Sequence, residues 1–225
     1  MVCFGVTPFA VAKMWEKPAN DGPGSAILSP NPLHKLLAKL SEDFYRQQLY
    51  PRKPLEILQS TFMPNIHNSL KWYNISSKII SSSTKDAKIV SLLGWCREVL
   101  LDSATRSFFG NRLLEIELNL FQGSFDFDDN SWKLTYKIPR VFSREMYEAK
   151  QKSTDALIKY FKLPIKERPG AAWVVQNLET EMRQLGIQEP DIAAFVLMLY
   201  WVYVEILCPV GSLQLKGKHD RMYTS

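Results

Sequence analysis

Several residue patterns that commonly mark an enzyme or a metal site are missing from this 225-residue chain. It has three cysteines and three histidines, all far apart, and no Cys-x-x-Cys or His-x-x-x-His pair, which argues against a structural zinc site. The odd, widely spaced cysteines argue against a disulfide scaffold and are typical of a reducing compartment. No glycine-rich phosphate loop, nucleophile elbow or kinase signature is present. The residues alone therefore predict no catalytic site and no metal site.

Charge of one sign is not concentrated anywhere either. The formal net charge is +5 and the isoelectric point is about 9.0, but Lys and Arg are scattered among acids, and no block of five like charges occurs. We therefore expect no nucleic-acid partner, while a weak contact with an anionic membrane surface is compatible with the basic balance. The first residues lack a basic segment and a long apolar run, so no signal peptide is predicted.

What the chain does contain is enough apolar material for a large core. Hydrophobic residues make up 46% of it and aromatic residues 12%, with six tryptophans. Apolar side chains recur at steps of three and four, whereas strand-like alternation is almost absent. The predicted fold class is mainly α, with little or no sheet.

Residues that favour the start or the end of a helix divide the first part of the chain into helices and a loop. Thr7 with Pro8 predicts a short helix, and residues 18–32 are rich in proline and glycine, which indicates a loop. Asn31 followed by Pro32 is a good helix start, so an amphipathic helix is predicted over 32–49, ended by Pro51.

The longest predicted helix begins after Thr84, which would cap it, and ends at Gly110. Its span is Lys85 to Phe109. The expected buried face consists of apolar residues at helical spacing, namely Ile89, Leu92, Leu93, Cys96, Val99, Leu100, Ala104 and Phe108.

The next segments are less regular. Residues 125–130 are predicted to form a turn, and residues 132–138 alternate like a strand, although Pro139 leaves their structure open. A helix is predicted to open at Ser143, and another covers 171–185.

The last apolar segment permits two interpretations. Residues 192–210 are apolar except for Glu205, and a membrane span needs roughly 20 such residues. A carboxylate inside hydrocarbon is costly, however, and acids at the start of the segment suit the positive end of a soluble helix. We favour a central buried helix, while attachment to a membrane through Ile192–Val210 stays as the alternative.

Cys96 is the most visible candidate nucleophile because the cation of Arg97 is adjacent, and a nearby cation can lower a thiol pKa. It falls on the predicted apolar face of its helix, where a buried, inert cysteine is the usual occupant. Cys208 has no recognisable base around it. Neither cysteine is predicted to be reactive.

Longer blocks of sequence carry a resemblance. In chain order they are Phe4-Gly5-Val6-Thr7, Asp43-Phe44-Tyr45-Arg46-Gln47-Gln48-Leu49, Ser91-Leu92-Leu93-Gly94-Trp95-Cys96-Arg97-Glu98, Phe125-Asp126-Phe127-Asp128 and Asp191-Ile192-Ala193-Ala194-Phe195. By their order and spacing, the chain resembles a fungal cytochrome P450 from the branch similar to sterol 7α-hydroxylases and prostacyclin synthases. The resemblance covers roughly residues 1–203, from the B′ region to the start of the long I helix that crosses the haem. Residues 204–225 diverge and are predicted to form a disordered tail.

This resemblance implies a haem- and iron-binding monooxygenase, an oxidoreductase acting on lipid, sterol-like or secondary-metabolite substrates. Complete relatives use haem b, a flavoprotein reductase and a small apolar substrate, and they lie at the cytosolic face of the endoplasmic reticulum membrane. On this chain, Lys35 and Arg46 are the candidates for contact with the haem propionates.

The departures from the family are large. The haem loop of the family, Phe-x-x-Gly-x-x-x-Cys, is absent, and no Glu-x-x-Arg pair occurs. Because the axial cysteine drives O–O cleavage, we expect this chain to be inactive and not to retain haem. The expected explanation is a truncated product or a partial gene model. The alternative function is that of a non-enzymatic helical protein.

Overall fold

The structure, a computed structural model, describes residues 5–16, 35–136 and 138–200. This part of the chain is mainly α with one small sheet, so the predicted fold class is confirmed. The helices are α1 (Pro8–Lys13), α2 (Leu37–Leu49), α3 (Lys53–Ser69), α4 (Leu92–Phe109), α5 (Arg112–Ile116), α6 (Leu120–Asn130), α7 (Trp132–Thr135), α8 (Arg144–Lys162), α9 (Trp173–Gln184) and α10 (189–200), and the strands are β1 (Ile80–Ser83) and β2 (Lys88–Val90).

Helix α2 begins at Leu37, so the helix predicted over 32–49 is wrong at residues 35 and 36. The backbone N–H groups of Leu37 and Ala38 donate to the carbonyls of Glu16 and Met14, both at 2.9 Å. The chain leaving α1 thus satisfies the first donors of α2, which would otherwise need a capping side chain. A tertiary contact of this kind leaves no local signal in the sequence. The predicted cap and the loop before it lie outside the described residues.

Strands β1 and β2 form an antiparallel hairpin where the longest helix was predicted to begin. Thr84 closes its turn, because its N–H donates to the carbonyl of Ala87 at 2.7 Å and its Oγ1 accepts from the N–H of Ala87 at 3.0 Å. The helix predicted from Lys85 is therefore wrong in its first turns. Threonine favours turns as well as helix caps, since in both its hydroxyl bonds a nearby backbone N–H.

Helix α4 has a clear cap at each end. The Oγ of Ser91 accepts from the N–H of Gly94 at 3.2 Å, and Gly110 ends the helix with φ of +67°. The predicted end is right.

The buried face of α4 differs from the predicted one. Leu92 and Leu93 are exposed, and in the second half of the helix Ser103, Thr105 and Ser107 are buried. The hydroxyls of Thr105 and Ser107 donate to the carbonyls four residues earlier, at 2.7 Å each. Because these two hydroxyls are hydrogen-bonded, their burial does not carry the cost of an unpaired polar group.

Residues 125–130, predicted as a turn, belong to helix α6, which packs against α8. A Cβ added at Gly123 would lie 3.5 Å from the Oγ of Ser153 and 3.7 Å from the carbonyl oxygen of Ala149, which are ordinary van der Waals distances, so the contact would also accept an alanine. The ambiguous residues that follow include helix α7 and not a strand.

The core is formed by α8, α9 and α10 with the second half of α4, and buried residues of α1, α2, α5 and α6 pack into the same cluster. Residues 192–197 are all buried, and the hydroxyls of Tyr200 and Thr105 lie 2.5 Å apart. The predicted buried helix is thus confirmed for 192–200. Among the described residues no helix is long and apolar enough to cross a membrane. Residues 201–210 and the predicted tail 204–225 lie outside them, so the alternative built on Ile192–Val210 stays untested.

Candidate functional site

The two residues predicted to contact propionates, Lys35 and Arg46, lie on either side of one carboxylate. Lys35 Nζ donates to Asp43 Oδ2, and Arg46 Nη1 lies 3.9 Å from Asp43 Oδ1. Arg46 Nη2 also donates to Glu42 Oε1 at 3.0 Å. Sequence reasoning did not single out Asp43. Its position one turn before Arg46 was the available signal, because side chains three residues apart share a helix face.

The charges of this cluster, Lys35, Asp43, Arg46 and Glu42, largely compensate one another. The side chain of Asp43 is 12% exposed, whereas those of Lys35 and Arg46 are 33% and 65% exposed. Lys39, which hydrogen-bonds Glu42 at 2.6 Å, and Arg46 hold the pKa of Glu42 below its ordinary value. The cluster therefore combines two cations and two anions, and a propionate that bound Lys35 or Arg46 would lie close to the carboxylate of Asp43.

An iron ligand would have to come from elsewhere. Cys96 is a free, half-buried cysteine on α4, and the guanidinium of its neighbour Arg97 bonds Asp128 at 2.5 Å and Asp129 at 3.0 Å. In the ranges that the structure describes, no group of three His, Cys, Asp or Glu residues could hold a metal ion. Cys3 and Cys208 lie outside these ranges. Cys96 is therefore the cysteine of the described residues that a haem titration would test.

A buried ion pair links the segment after α8 to α9, and the sequence analysis missed it. Arg168 is 2% exposed, bonds Glu179 at 2.7 Å and lies over the rings of Tyr160 and Phe161, with centroid distances of 4.8 and 5.4 Å. Burial is the main cause that raises the pKa of Tyr160 to about 12. Arg183 reaches the same carboxylate at 3.0 Å. The paired charges, together with the guanidinium lying over the two rings, give this network a structural role.

The chain matches no protein-family model, no curated protein and no solved structure. The resemblance to cytochrome P450 therefore stays a prediction, and the functional argument depends on the residues and their geometry.

Proposed function

We propose that this chain is related to the part of a cytochrome P450 that precedes its haem-binding cysteine, and that these 225 residues do not by themselves form a haem-thiolate monooxygenase. The observation that carries the relationship is the position of α10. The block starting at Asp191, which resembles the beginning of the family's central helix, lies in the most enclosed helix of the described core. Its first apolar residues, Ile192, Ala193 and Ala194, are almost completely buried.

The order of the other blocks supports the same relationship. The block from Ser91 begins at the cap of α4, and the block from Phe125 lies in α6. Asp43 to Leu49 form the second half of α2. Each block thus lies in or at the start of a separate helix, in the chain order that the resemblance implies.

The proposal that the chain is inactive depends on the residues that could ligate a haem iron. A haem-thiolate enzyme needs an axial cysteine to activate oxygen, and neither the cysteine loop nor the Glu-x-x-Arg pair is in the sequence. The carboxylate of Asp43 lies beside both cations that would meet the propionates, and its negative charge would repel them. No step of a monooxygenase reaction is therefore assigned to these residues.

Titration of the purified chain with haem, followed by reduction and addition of carbon monoxide, tests the inactivity. We expect no Soret band of the thiolate-ligated kind, and any loosely bound haem should bind equally to a Lys35→Ala, Arg46→Ala double variant. A thiolate band in the wild type that disappears in Cys96→Ser would show that the proposal is wrong.

The relationship itself is tested on the transcript beyond the codon for Tyr203. A related gene should continue, in the same frame or after an intron, with a Glu-x-x-Arg pair and then a Phe-x-x-Gly-x-x-x-Cys loop. If the genomic region encodes neither, the relationship is contradicted, whatever the haem titration gives.

A further inference from the structure

A short segment between α6 and α8 exposes several large apolar side chains. We call it the α7–α8 turn and define it as residues 132–144, which include helix α7 and a 3₁₀ turn over Arg140–Phe142. Its exposed apolar side chains are those of Trp132, Tyr136, Val141 and Phe142, and the last two are 83% and 74% exposed. Because a cluster of exposed apolar side chains commonly marks an interaction site, this turn is a candidate interaction surface. The proposed function assigns no role to it.

Local contacts give the α7–α8 turn a defined shape. The N–H of Phe142 donates to the carbonyl of Pro139 at 2.9 Å, which closes the 3₁₀ turn. The rings of Trp132 and Tyr136, one helical turn apart, meet edge to face with their centroids 6.1 Å apart. Val141 and Phe142 are adjacent in the chain, and both project into solvent and contribute nothing to the described core.

The charge of the α7–α8 turn has one sign. Its thirteen residues carry no Asp or Glu and four cations, which are Lys133, Lys137, Arg140 and Arg144. Elsewhere in the chain Lys and Arg are scattered among acids, so this segment differs from the average surface.

The acids that follow the turn compensate only part of this charge. Glu148 accepts from Arg144 Nε at 2.6 Å, and Glu145 Oε2 lies 4.0 Å from Lys133 Nζ. With both acids counted, residues 132–148 still carry two positive charges in excess. The guanidinium of Arg140, beside the exposed Val141 and Phe142, lies 4.6 Å from the ring of Tyr147. A positive charge therefore lies next to the exposed apolar side chains.

Apolar side chains flanked by Trp, Tyr and cations match the surface of an anionic bilayer. Trp and Tyr favour the level of the lipid headgroups, because their rings are apolar and carry one polar atom. Lys and Arg are attracted by anionic headgroups, while apolar side chains enter the boundary of the acyl chains. A stable protein interface takes roughly 20 to 30 residues on each side, more than this turn provides.

We propose that the α7–α8 turn binds the surface of an anionic lipid bilayer. Val141 and Phe142 enter the boundary of the acyl chains, Trp132 and Tyr136 lie at the level of the headgroups, and Arg140 binds anionic headgroups. This is a contact with one face of the bilayer, and it requires no segment that spans the membrane.

Co-sedimentation of the full chain with lipid vesicles tests the proposal. The vesicles consist of phosphatidylcholine alone or, as mixed vesicles, of phosphatidylcholine with about 30% of the anionic lipid phosphatidylserine. Binding to the mixed vesicles is expected, and it should fall when salt is added, because salt screens exposed charges. Binding to phosphatidylcholine alone should be much weaker. Arg140→Gln, which removes one cation, should weaken binding to the mixed vesicles about fivefold.

A pair of matched variants tests the apolar part of the contact. The double variant Val141→Glu, Phe142→Glu should bind the mixed vesicles at least about tenfold more weakly, because two apolar side chains are lost from the contact and two negative charges are added. The control is Ile57→Glu, Met63→Glu, which makes the same change of charge at two exposed residues of α3 and should retain most of the binding. Because all four side chains are exposed, the fold should tolerate both changes, which circular dichroism checks.

A measurement on the wild type does not depend on the folding of a variant. Hydrogen exchange is followed in separate peptides with and without the mixed vesicles. Residues 138–144 should exchange more slowly with the vesicles, and Lys53–Ser69 should not change. No binding, equal binding to both kinds of vesicle, equal losses in the two double variants, or protection confined to another part of the chain would each overturn the proposal. Protection of 138–144 by a higher protein concentration without lipid would also overturn it, since a second copy of the chain would then cover the turn.

Discussion

Among the glycines that the structure describes, Gly110 is the one where an added Cβ would meet the closest atom. Its φ is +67°, and a Cβ there would lie 2.3 Å from the carbonyl oxygen of Pro169. Gly110→Ala should lower the free energy of unfolding by at least about 2 kcal/mol, because backbone strain and a backbone clash add. Gly186→Ala is the control, since Gly186 has φ of +78° but nothing within 4 Å of the added carbon. It should cost about 1 kcal/mol. Urea unfolding of both variants measures the difference, and equal losses would contradict the clash.

Arg168 and Arg144 are both in ion pairs, but only Arg168 is buried. Arg168→Met should lower the free energy of unfolding by about 3 kcal/mol. It leaves the buried Glu179 with Arg183 as its cationic partner among the described residues, and it removes the cation from the rings of Tyr160 and Phe161. Arg144→Met breaks an exposed pair with Glu148 and should leave the thermal midpoint nearly unchanged. Similar shifts of the thermal midpoint in the two variants would show that burial of the ion pair does not determine how much it stabilises the fold.

Glu181 should make stability depend on pH. It is 2% exposed, its Oε2 has no hydrogen-bond partner among the described residues, and burial raises its pKa from 4.5 to about 6. Because the folded state holds the proton more tightly, this contribution to stability is present below pH 4.5 and is lost as the pH rises through 6.

Glu181→Gln removes this dependence. Relative to the variant, the wild type should lose about 1 to 2 kcal/mol of unfolding free energy between pH 4.5 and 7. Denaturant unfolding at both pH values measures this, and parallel pH profiles for the two proteins would show that Glu181 stays charged in the fold.

Helix α1 is attached to α10 by one carboxylate. Asp191, in the first turn of α10, accepts from the N–H of Thr7 at 2.7 Å and from its hydroxyl at 2.9 Å. Asp191→Ala should loosen the start of α1, at a cost of about 1 to 2 kcal/mol from the two lost hydrogen bonds and the helix dipole, while the buried Ala10 and Met14 keep the segment on the core. Hydrogen exchange of the amides in Pro8–Lys13 should accelerate, while those of α8 keep their protection. Asp155→Ala, an exposed carboxylate on α8, is the control and should leave α1 unchanged.

Elements whose ends depend on neighbouring residues could be predicted from the sequence. Thr7, Pro51 and Gly110 act locally, through a cap, a lost donor and a left-handed backbone, and the helices end or begin there. The start of α2 depends on carbonyls contributed by the end of α1, and Thr84 suits a hairpin turn as well as a helix cap. Local patterns carry no information on either choice.

The candidate site also contains residues that the sequence predicted and residues that it did not. Lys35 and Arg46 were predicted from the resemblance, and they do lie close together. Asp43, whose carboxylate lies beside both of them, and the buried partners Arg168 and Glu179 were not predicted. From the sequence alone, a charged residue is expected to be solvent-exposed, because whether it is buried depends on a partner distant in the chain.

Stability should be uneven across the fold, since the described helices differ strongly in burial. Helix α3 has no buried residue, and Ile57 and Met63 on it are exposed, although it packs alongside α4. Helix α8 buries eight residues, including Tyr160 and Phe161, and α10 is buried along most of its described length. Because local opening is easiest where little apolar surface is buried, α3 should open long before the core unfolds.

Hydrogen exchange across the whole chain tests this order. The amides of Lys53–Ser69 should exchange at a rate independent of mild denaturant, as expected for a local opening, whereas those of Arg144–Lys162 should exchange by global unfolding and respond steeply to denaturant. Limited proteolysis should cut within α3 first. Equal denaturant dependence in α3 and α8 would mean that the two helices unfold as one cooperative unit, and that the contacts between α3 and α4 stabilise the surface helix far more than its burial indicates.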